Sequence, residues 1–134
     1  MKLRIAISLF FLLPHIIFAA GESCPTPFQI QSSRFSGFSV YDIDSGLVLN
    51  ANRLAQFQSN VQQFALAEWL PEAPEGEAHC YYVGSDPSDV SYLNAYLAKP
   101  GLFLNTTFPW KSEGGGAFRC NKSLAECWFT LGTN

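Results

Sequence analysis

Four cysteines constrain this chain more than any other feature of its sequence. Cys24, Cys80, Cys120 and Cys127 all follow an apolar N-terminal segment that would route them to an oxidising compartment. An even number of cysteines in such a compartment predicts a disulfide framework, here of two bonds. A zinc site is disfavoured because C-x2-C spacing is absent and because His79 would leave its strand on the face opposite Cys80. We therefore expect two disulfides, no metal and no cofactor.

The N-terminal segment has the layout of a secretory signal peptide. Lys2 and Arg4 supply positive charge, and residues 5–20 are largely apolar but are interrupted by Pro14. This run is shorter than the roughly 20 residues that a membrane span needs, and it ends in small residues. We expect residues 1–21 to be removed, and residues 22–134 to form one secreted or periplasmic domain with no stable membrane anchor.

The pairing of the cysteines follows from one expected hairpin. The stretches 118–120 and 127–129 flank the polar segment 121–123, so they could pair and bring Cys120 next to Cys127. Cys24 is then left to bond to Cys80. The two assignments are one inference, because the second depends on the first.

Charge excludes a polyanionic partner. Removal of Lys2 and Arg4 leaves six basic residues against eleven acidic ones, a net charge of 6 − 11 = −5 with histidine neutral. The six basic residues are scattered along the chain, whereas a nucleic-acid site needs them clustered to replace phosphate counterions. We expect no nucleic-acid binding.

Alternating apolar residues predict mainly strands. Residues 78–83 should form a core strand that holds Cys80, and residues 63–70 should pair with it as a hairpin across an acidic tip. Within residues 53–69 helix and strand spacing compete, so a helical turn before residue 63 is allowed. Residues 28–31 should form a short strand, and residues 37–50 a hairpin.

The C-terminal half contains one further ambiguity. Residues 89–98 fit a short helix and a strand about equally, residues 102–104 fit a strand, and Gly114, Gly115 and Gly116 fit a flexible loop before the last hairpin. The expected fold is β-rich, a small antiparallel sheet or sandwich stabilised by two disulfides, with room for one short helix.

Several landmarks resemble an uncharacterised family of short secreted bacterial proteins, a domain of unknown function. These are Cys24-Pro25 leading to Ile30, the segment Phe64–Trp69 before Cys80-Tyr81-Tyr82, Trp110, and the terminal Cys120-x6-Cys127-x-Phe129. The resemblance covers most of the chain after the signal peptide. It implies an exported bacterial protein, with no catalytic residues to transfer.

Catalytic readings are weaker than structural ones. His79 could serve as a base beside a serine, but no nucleophile motif surrounds it. Carboxylate pairs, Asp42 with Asp44 or Glu68 with Glu77, could serve glycoside hydrolysis if they faced each other across a cleft. We predict no catalytic residues, and we expect a non-enzymatic protein. A small secreted hydrolase and a structural envelope component are the alternatives.

Aromatic residues suggest binding. Trp110, between a proline and a lysine, should be partly exposed beside Gly114, Gly115 and Gly116, and it could anchor a protein or a glycan. The acidic tip, with Glu72, Glu75 and Glu77, is the rival site, because it would attract a basic partner through long-range steering. The partner itself is not identified by the sequence.

Overall fold

A computed structural model describes residues 21–71, 76–86, 88, 92–104 and 109–131 of the chain. The predicted signal peptide before residue 21 lies outside the described residues, as do the acidic tip at residues 72–75 and most of residues 87–91. The helices are α1 (Pro27–Gln31) and α2 (Ala51–Asn60). The strands are β1 (Gly21–Ser23), β2 (Ser39–Asp42), β3 (Gln63–Leu70), β4 (Glu77–Val83), β5 (Ala95–Pro100), β6 (Leu102–Phe103), β7 (Lys111–Gly114), β8 (Ala117–Cys120) and β9 (Trp128–Leu131).

The strands form two antiparallel sheets, which confirms the predicted β-rich class. The large sheet has six strands in the order β2-β5-β4-β3-β8-β7, and the small sheet has three in the order β1-β9-β6. Ile30 of α1, Phe57 of α2 and Phe129 of β9 share one buried cluster with the strands of the large sheet. Both helices and the small sheet therefore contribute to the same core.

The central strand β4 divides its side chains between two environments. Ala78, Cys80 and Tyr82 are fully buried, whereas Glu77 and His79, which alternate with them, are partly exposed. Alternation of this kind is what a strand with one covered face requires. The predicted core strand and its hairpin with β3 are confirmed.

The two disulfides join the sheets at one place. Cys24 bonds to Cys80 with Cα atoms 5.9 Å apart, and Cys120 bonds to Cys127 with Cα atoms 5.6 Å apart, as predicted. Cys80 and Cys120 lie on either side of Ala67, because Ala67 is the register partner of both. All four cysteines are buried.

The small sheet contributes the other two sulfur atoms from one of its ends. Ser23 of β1 is paired with Trp128 of β9. Cys24 follows Ser23 and Cys127 precedes Trp128, so the two cysteines lie at the same end of this antiparallel pair. Both disulfides therefore attach the same end of the small sheet to the middle of the large sheet.

The prediction of a hairpin, from which the pairing of the cysteines was inferred, is wrong. β8 pairs with β3 and β7 in the large sheet, whereas β9 pairs with β1 and β6 in the small one. Cys120 and Cys127 meet because the two sheets pack face to face at this point. The predicted bond is present, but the strands that carry its two cysteines are not partners.

The predicted strand at residues 28–31 is also wrong, because α1 occupies it. Thr26 caps this helix: its hydroxyl accepts a hydrogen bond from the Gln29 amide at 3.1 Å, and the Gln29 side chain accepts one from the Thr26 amide at 2.8 Å. Pro27 takes the first helical position, where its missing N–H is no loss. The reciprocal cap outweighs the alternation of Phe28 and Ile30.

The ambiguous region before β3 contains a full helix. Asn50 caps α2 by accepting a hydrogen bond from the Arg53 amide at 2.9 Å, and the Phe57 ring packs edge-on against Tyr82 with centroids 6.4 Å apart. Where the sequence allowed a helical turn, the structure has a helix of ten residues. The strand preferred for residues 63–70 is confirmed as β3.

The predicted hairpin at residues 37–50 forms only in part. β2 is its first arm, but the return arm makes an isolated bridge between Tyr41 and Val48 rather than a strand. Leu47 and Val48 are 69% and 63% exposed, so their apolar character does not mark a buried strand. Asp42 instead organises the turn by accepting hydrogen bonds from the amides of Asp44 and Ser45.

Two later predictions are refined by the structure. In the ambiguous stretch 89–98 the described part contains a single 3₁₀ turn at Tyr92–Asn94 followed by β5. The segment 114–116 is the turn of the β7–β8 hairpin rather than a loop preceding a hairpin, and its three glycines have positive φ. The expected strand at residues 102–104 is confirmed as the two-residue β6.

Ala67 should tolerate no larger side chain, because two buried disulfides flank it on neighbouring strands. We expect Ala67→Leu to lower the free energy of unfolding by about 1–3 kcal/mol, the usual effect of overpacking a filled core. The measurement is denaturant unfolding of the oxidised protein. Ala65→Leu is the matched control, since Ala65 is partly exposed where the β3–β4 register shifts. Equal effects of the two substitutions would contradict this account.

Candidate functional site

The outward face of the large sheet carries a row of tyrosines. Tyr41 of β2 is the register partner of Tyr96 of β5, and Tyr96 is the register partner of Tyr81 of β4. The three rings are stacked, with centroids 5.6 Å and 5.7 Å apart and planes tilted by 21° and 27°. All three side chains are partly exposed. We call these residues, together with Tyr92, the tyrosine row.

Stacking determines what the row presents to solvent. Rings on adjacent strands that lie nearly parallel must stand upright on the sheet, so each covers a face of its neighbour. The ring edges and hydroxyl ends are then directed outward. Such cross-strand aromatic pairs also stabilise the sheet, by roughly 0.2–1 kcal/mol each.

Tyr92 joins the row from a strained turn. Tyr92, Leu93 and Asn94 all have left-handed backbone conformations, with φ of 50°, 57° and 55°. None is a glycine, and this conformation costs about 1–2 kcal/mol for each such residue. The ring of Tyr92 packs edge-on against Tyr81 with centroids 5.4 Å apart, and the Asn94 carbonyl accepts a hydrogen bond from the Ile43 amide at 3.0 Å. These contacts hold the turn.

His79 lies beside the row. Its ring packs on Tyr96 with centroids 4.8 Å apart, and its Nε2 lies 2.9 Å from Oε1 of Glu77. The histidine is thus oriented by a carboxylate and a ring on a sheet face. Four surface pockets among the described residues are lined by other side chains.

A charged cluster borders the row on the side of β8. Arg119 contacts Glu113 through Nε at 2.6 Å and Glu68 through a terminal nitrogen at 3.3 Å. Arg119 is the register partner of Glu68, and Glu68 is the register partner of His79, so the cluster continues the same face. The face is therefore aromatic on one side and charged on the other.

The carboxylates considered for glycoside hydrolysis are engaged elsewhere. Hydrogen bonds from Ser45, above all from its backbone amide, hold the pKa of Asp42 below its usual range. Asp42 thereby shapes its turn, while Glu68 binds Arg119. Neither arrangement resembles a pair of carboxyl groups facing each other across a cleft.

Burial changes the acidity of two adjacent tyrosines. Removal from water raises the pKa of Tyr81, and the nearby charge of Glu68 raises it further. Burial alone raises the pKa of Tyr82, whose hydroxyl donates a 2.6 Å hydrogen bond to the Pro25 carbonyl. Burial and the charge of Glu77 also raise the pKa of Tyr96.

The expected exposure of Trp110 is wrong. Trp110 is 7% exposed, and its ring packs against Phe129 with centroids 5.0 Å apart. Gly114, Gly115 and Gly116 lie at the exposed tip of the β7–β8 hairpin. The tryptophan enters the space between the sheets, so it is not available as an anchor beside this turn. Binding at the glycine turn stays a prediction.

The rival acidic site is divided. Glu72 and Glu75 lie outside the described residues, whereas Glu77 belongs to β4 and faces the tyrosine row. The row itself was missed by the sequence analysis, which assigned most aromatic residues to the core. Alternation within β4 was the available signal, because Tyr81 and Tyr82 must point to opposite faces.

Comparison of the chain with protein families, with curated proteins and with solved structures finds no match. Among the described residues, no group of three or more His, Cys, Asp or Glu side chains is placed to hold a metal ion. No helix in the described ranges is long and apolar enough to cross a membrane. The function is therefore inferred from the surface itself.

Alkaline pH should destabilise the protein through its buried tyrosines. The folded state keeps Tyr81 and Tyr82 protonated above pH 10, where tyrosines of the unfolded chain ionise, so stability is lost as pH rises through that range. The slope is at most about 1.4 kcal/mol per pH unit for each group, and less for Tyr81 because it is partly exposed.

The measurement is urea unfolding of the wild type and Tyr81→Phe between pH 7 and pH 11. Tyr81→Phe should lose less stability than the wild type between pH 9 and pH 11. Parallel pH profiles of the two proteins would show that Tyr81 ionises equally in the folded and unfolded states.

Proposed function

We propose that this is an exported, non-enzymatic protein that binds a protein partner through the tyrosine row, outside the cell or at the envelope. The observation that carries the proposal is the row itself, formed by residues of β2, β4, β5 and the strained turn at Tyr92–Asn94. A chain rarely keeps consecutive non-glycine residues in a left-handed conformation unless the surroundings determine it, and such strain concentrates at functional sites.

The shape of the row favours a protein over a glycan at this surface. A sugar stacks on the open face of a ring, but Tyr96 is stacked on both sides, and Tyr41 and Tyr81 each have one face against it. Outward hydroxyls and ring edges suit hydrogen bonding and packing against a second protein, where tyrosine and arginine supply much of the binding energy. Arg119 and its two glutamates would form the polar rim.

Export is supported by the cysteines and by the N-terminal sequence. Both disulfides are formed and no cysteine of the described chain is free, which is the pattern of proteins that fold under oxidising conditions. The charged and apolar residues at positions 1–20 supply the expected signal peptide. The resemblance to short secreted bacterial proteins points the same way.

The test compares capture by matched variants. Oxidised wild type, Tyr96→Ala and Phe28→Ala are immobilised and exposed to extracellular fluid of the source organism, and bound proteins are quantified by mass spectrometry. Phe28 is the control because it is 67% exposed on α1, away from the row. We expect a protein retained by wild type and Phe28→Ala, and reduced at least tenfold on Tyr96→Ala, the loss typical of an anchor residue.

Two further measurements separate the alternatives. Hydrolysis by the refolded protein that disappears in His79→Ala would replace the proposal with a secreted hydrolase. Self-association in ultracentrifugation, without a captured protein, would replace it with a structural component. Equal capture on Tyr96→Ala would remove the tyrosine row from the binding site.

A further inference from the structure

The outward face of the small sheet carries a second aromatic surface. Phe129 of β9 is fully buried, so Trp128 and Thr130 on either side of it point away from the core. Register places Gly21 and Phe103 opposite Thr130, and Ser23 opposite Trp128, on the same outward face. Trp128 and Phe103 are each 42% exposed. We call these five residues the tryptophan platform.

Gly21 lies against one edge of the tryptophan ring. A Cβ atom at position 21 would lie 2.7 Å from Cε3 and 3.2 Å from Cζ3 of the Trp128 ring. The absence of a side chain at Gly21 thus leaves room for this edge of the ring. The rest of the side chain is partly open to solvent, with 42% of its surface exposed.

We propose that the tryptophan platform binds a neutral oligosaccharide, with a pyranose ring stacked on the exposed part of the Trp128 ring. The C–H groups on one side of a pyranose carry partial positive charge and fit the negative face of an aromatic ring. Phe103, diagonal to Trp128 across the sheet, offers contact to the adjoining sugar. The Ser23 hydroxyl supplies a hydrogen-bonding group at the edge.

The side chains of the platform carry no charge, and this favours a neutral sugar. The described outward side chains of the platform are two aromatic rings and two hydroxyl groups, and Thr130 already donates to the Phe103 carbonyl at 3.0 Å. The ion pair nearest in sequence, Glu22 with Lys99, belongs to the opposite side of β1. Nothing on the platform would offset the desolvation of an acidic or basic ligand.

The size of the platform fits a small ligand. The exposed parts of Trp128 and Phe103 together offer roughly 200 Å², from the usual area of such side chains. A surface of this extent suits two sugar rings.

The platform is distinct from the proposed protein site. The platform belongs to the small sheet and the tyrosine row to the large one, so the two surfaces share no strand. A chain with both sites would attach a protein partner to a glycan.

The test measures binding of cellohexaose, chitohexaose, maltohexaose and mannohexaose to the oxidised protein by calorimetry and by the indole proton signals in NMR. We expect at least one to bind with Trp128 signals shifted. Trp128→Ala should weaken that binding at least tenfold, and Trp128→Tyr, which keeps a flat ring, no more than about threefold.

Control variants distinguish this proposal from the previous one. Tyr96→Ala and Phe28→Ala should bind the oligosaccharide like the wild type, whatever they do to protein capture. Failure of all four oligosaccharides, or binding unchanged in Trp128→Ala, would overturn the proposal. The proposal would also be overturned if no oligosaccharide binds and Trp128 is instead required for binding to phosphatidylcholine vesicles or for self-association.

Discussion

Two disulfides on either side of Ala67 hold the small sheet against the large one. The small sheet has three strands of two to four residues, too few to be stable alone. Its position therefore depends on the bonds from Cys24 and Cys127, reinforced by burial of Phe129 and Leu102. The core between the sheets and the exposure of Trp128 both follow from this attachment. Without this attachment to the large sheet, the edge strands β1 and β6 would have no support beyond their pairing with β9.

Alternation along a few strands gives the protein its core and both of its aromatic surfaces. Tyr82 is buried and bonded to Pro25, while Tyr81 beside it stands in the tyrosine row. In the same way Phe129 fills the core, and Trp128 beside it lies open. The two surfaces differ in how their rings are held: against other rings in the large sheet, and against a glycine in the small one.

Local sequence patterns predicted much of the fold. The candidate site was not predicted, because it depends on pairing between strands that are distant in sequence. The β4 strand and its hairpin with β3 could be inferred from short stretches, whereas the correct disulfide pairing was reached through a hairpin that does not form. The α1 helix was missed because alternation at Phe28 and Ile30 was weighed above the Thr26–Gln29 cap. The burial of Trp110 against Phe129 and the exposure of Trp128 depend on contacts between distant parts of the chain, which no local pattern shows.

The disulfide from Cys24 also determines how the molecule would respond to mechanical load. A pull on the chain at Glu22 separates only the short β1 pairing from β9, and the tension then passes through a covalent bond into Cys80. That residue sits in β4, which is hydrogen-bonded to a strand on each side. A load applied at the N-terminal end of the domain would thus pass into the large sheet, and the tyrosine row would keep its shape while the β1 side of the tryptophan platform is separated from β9.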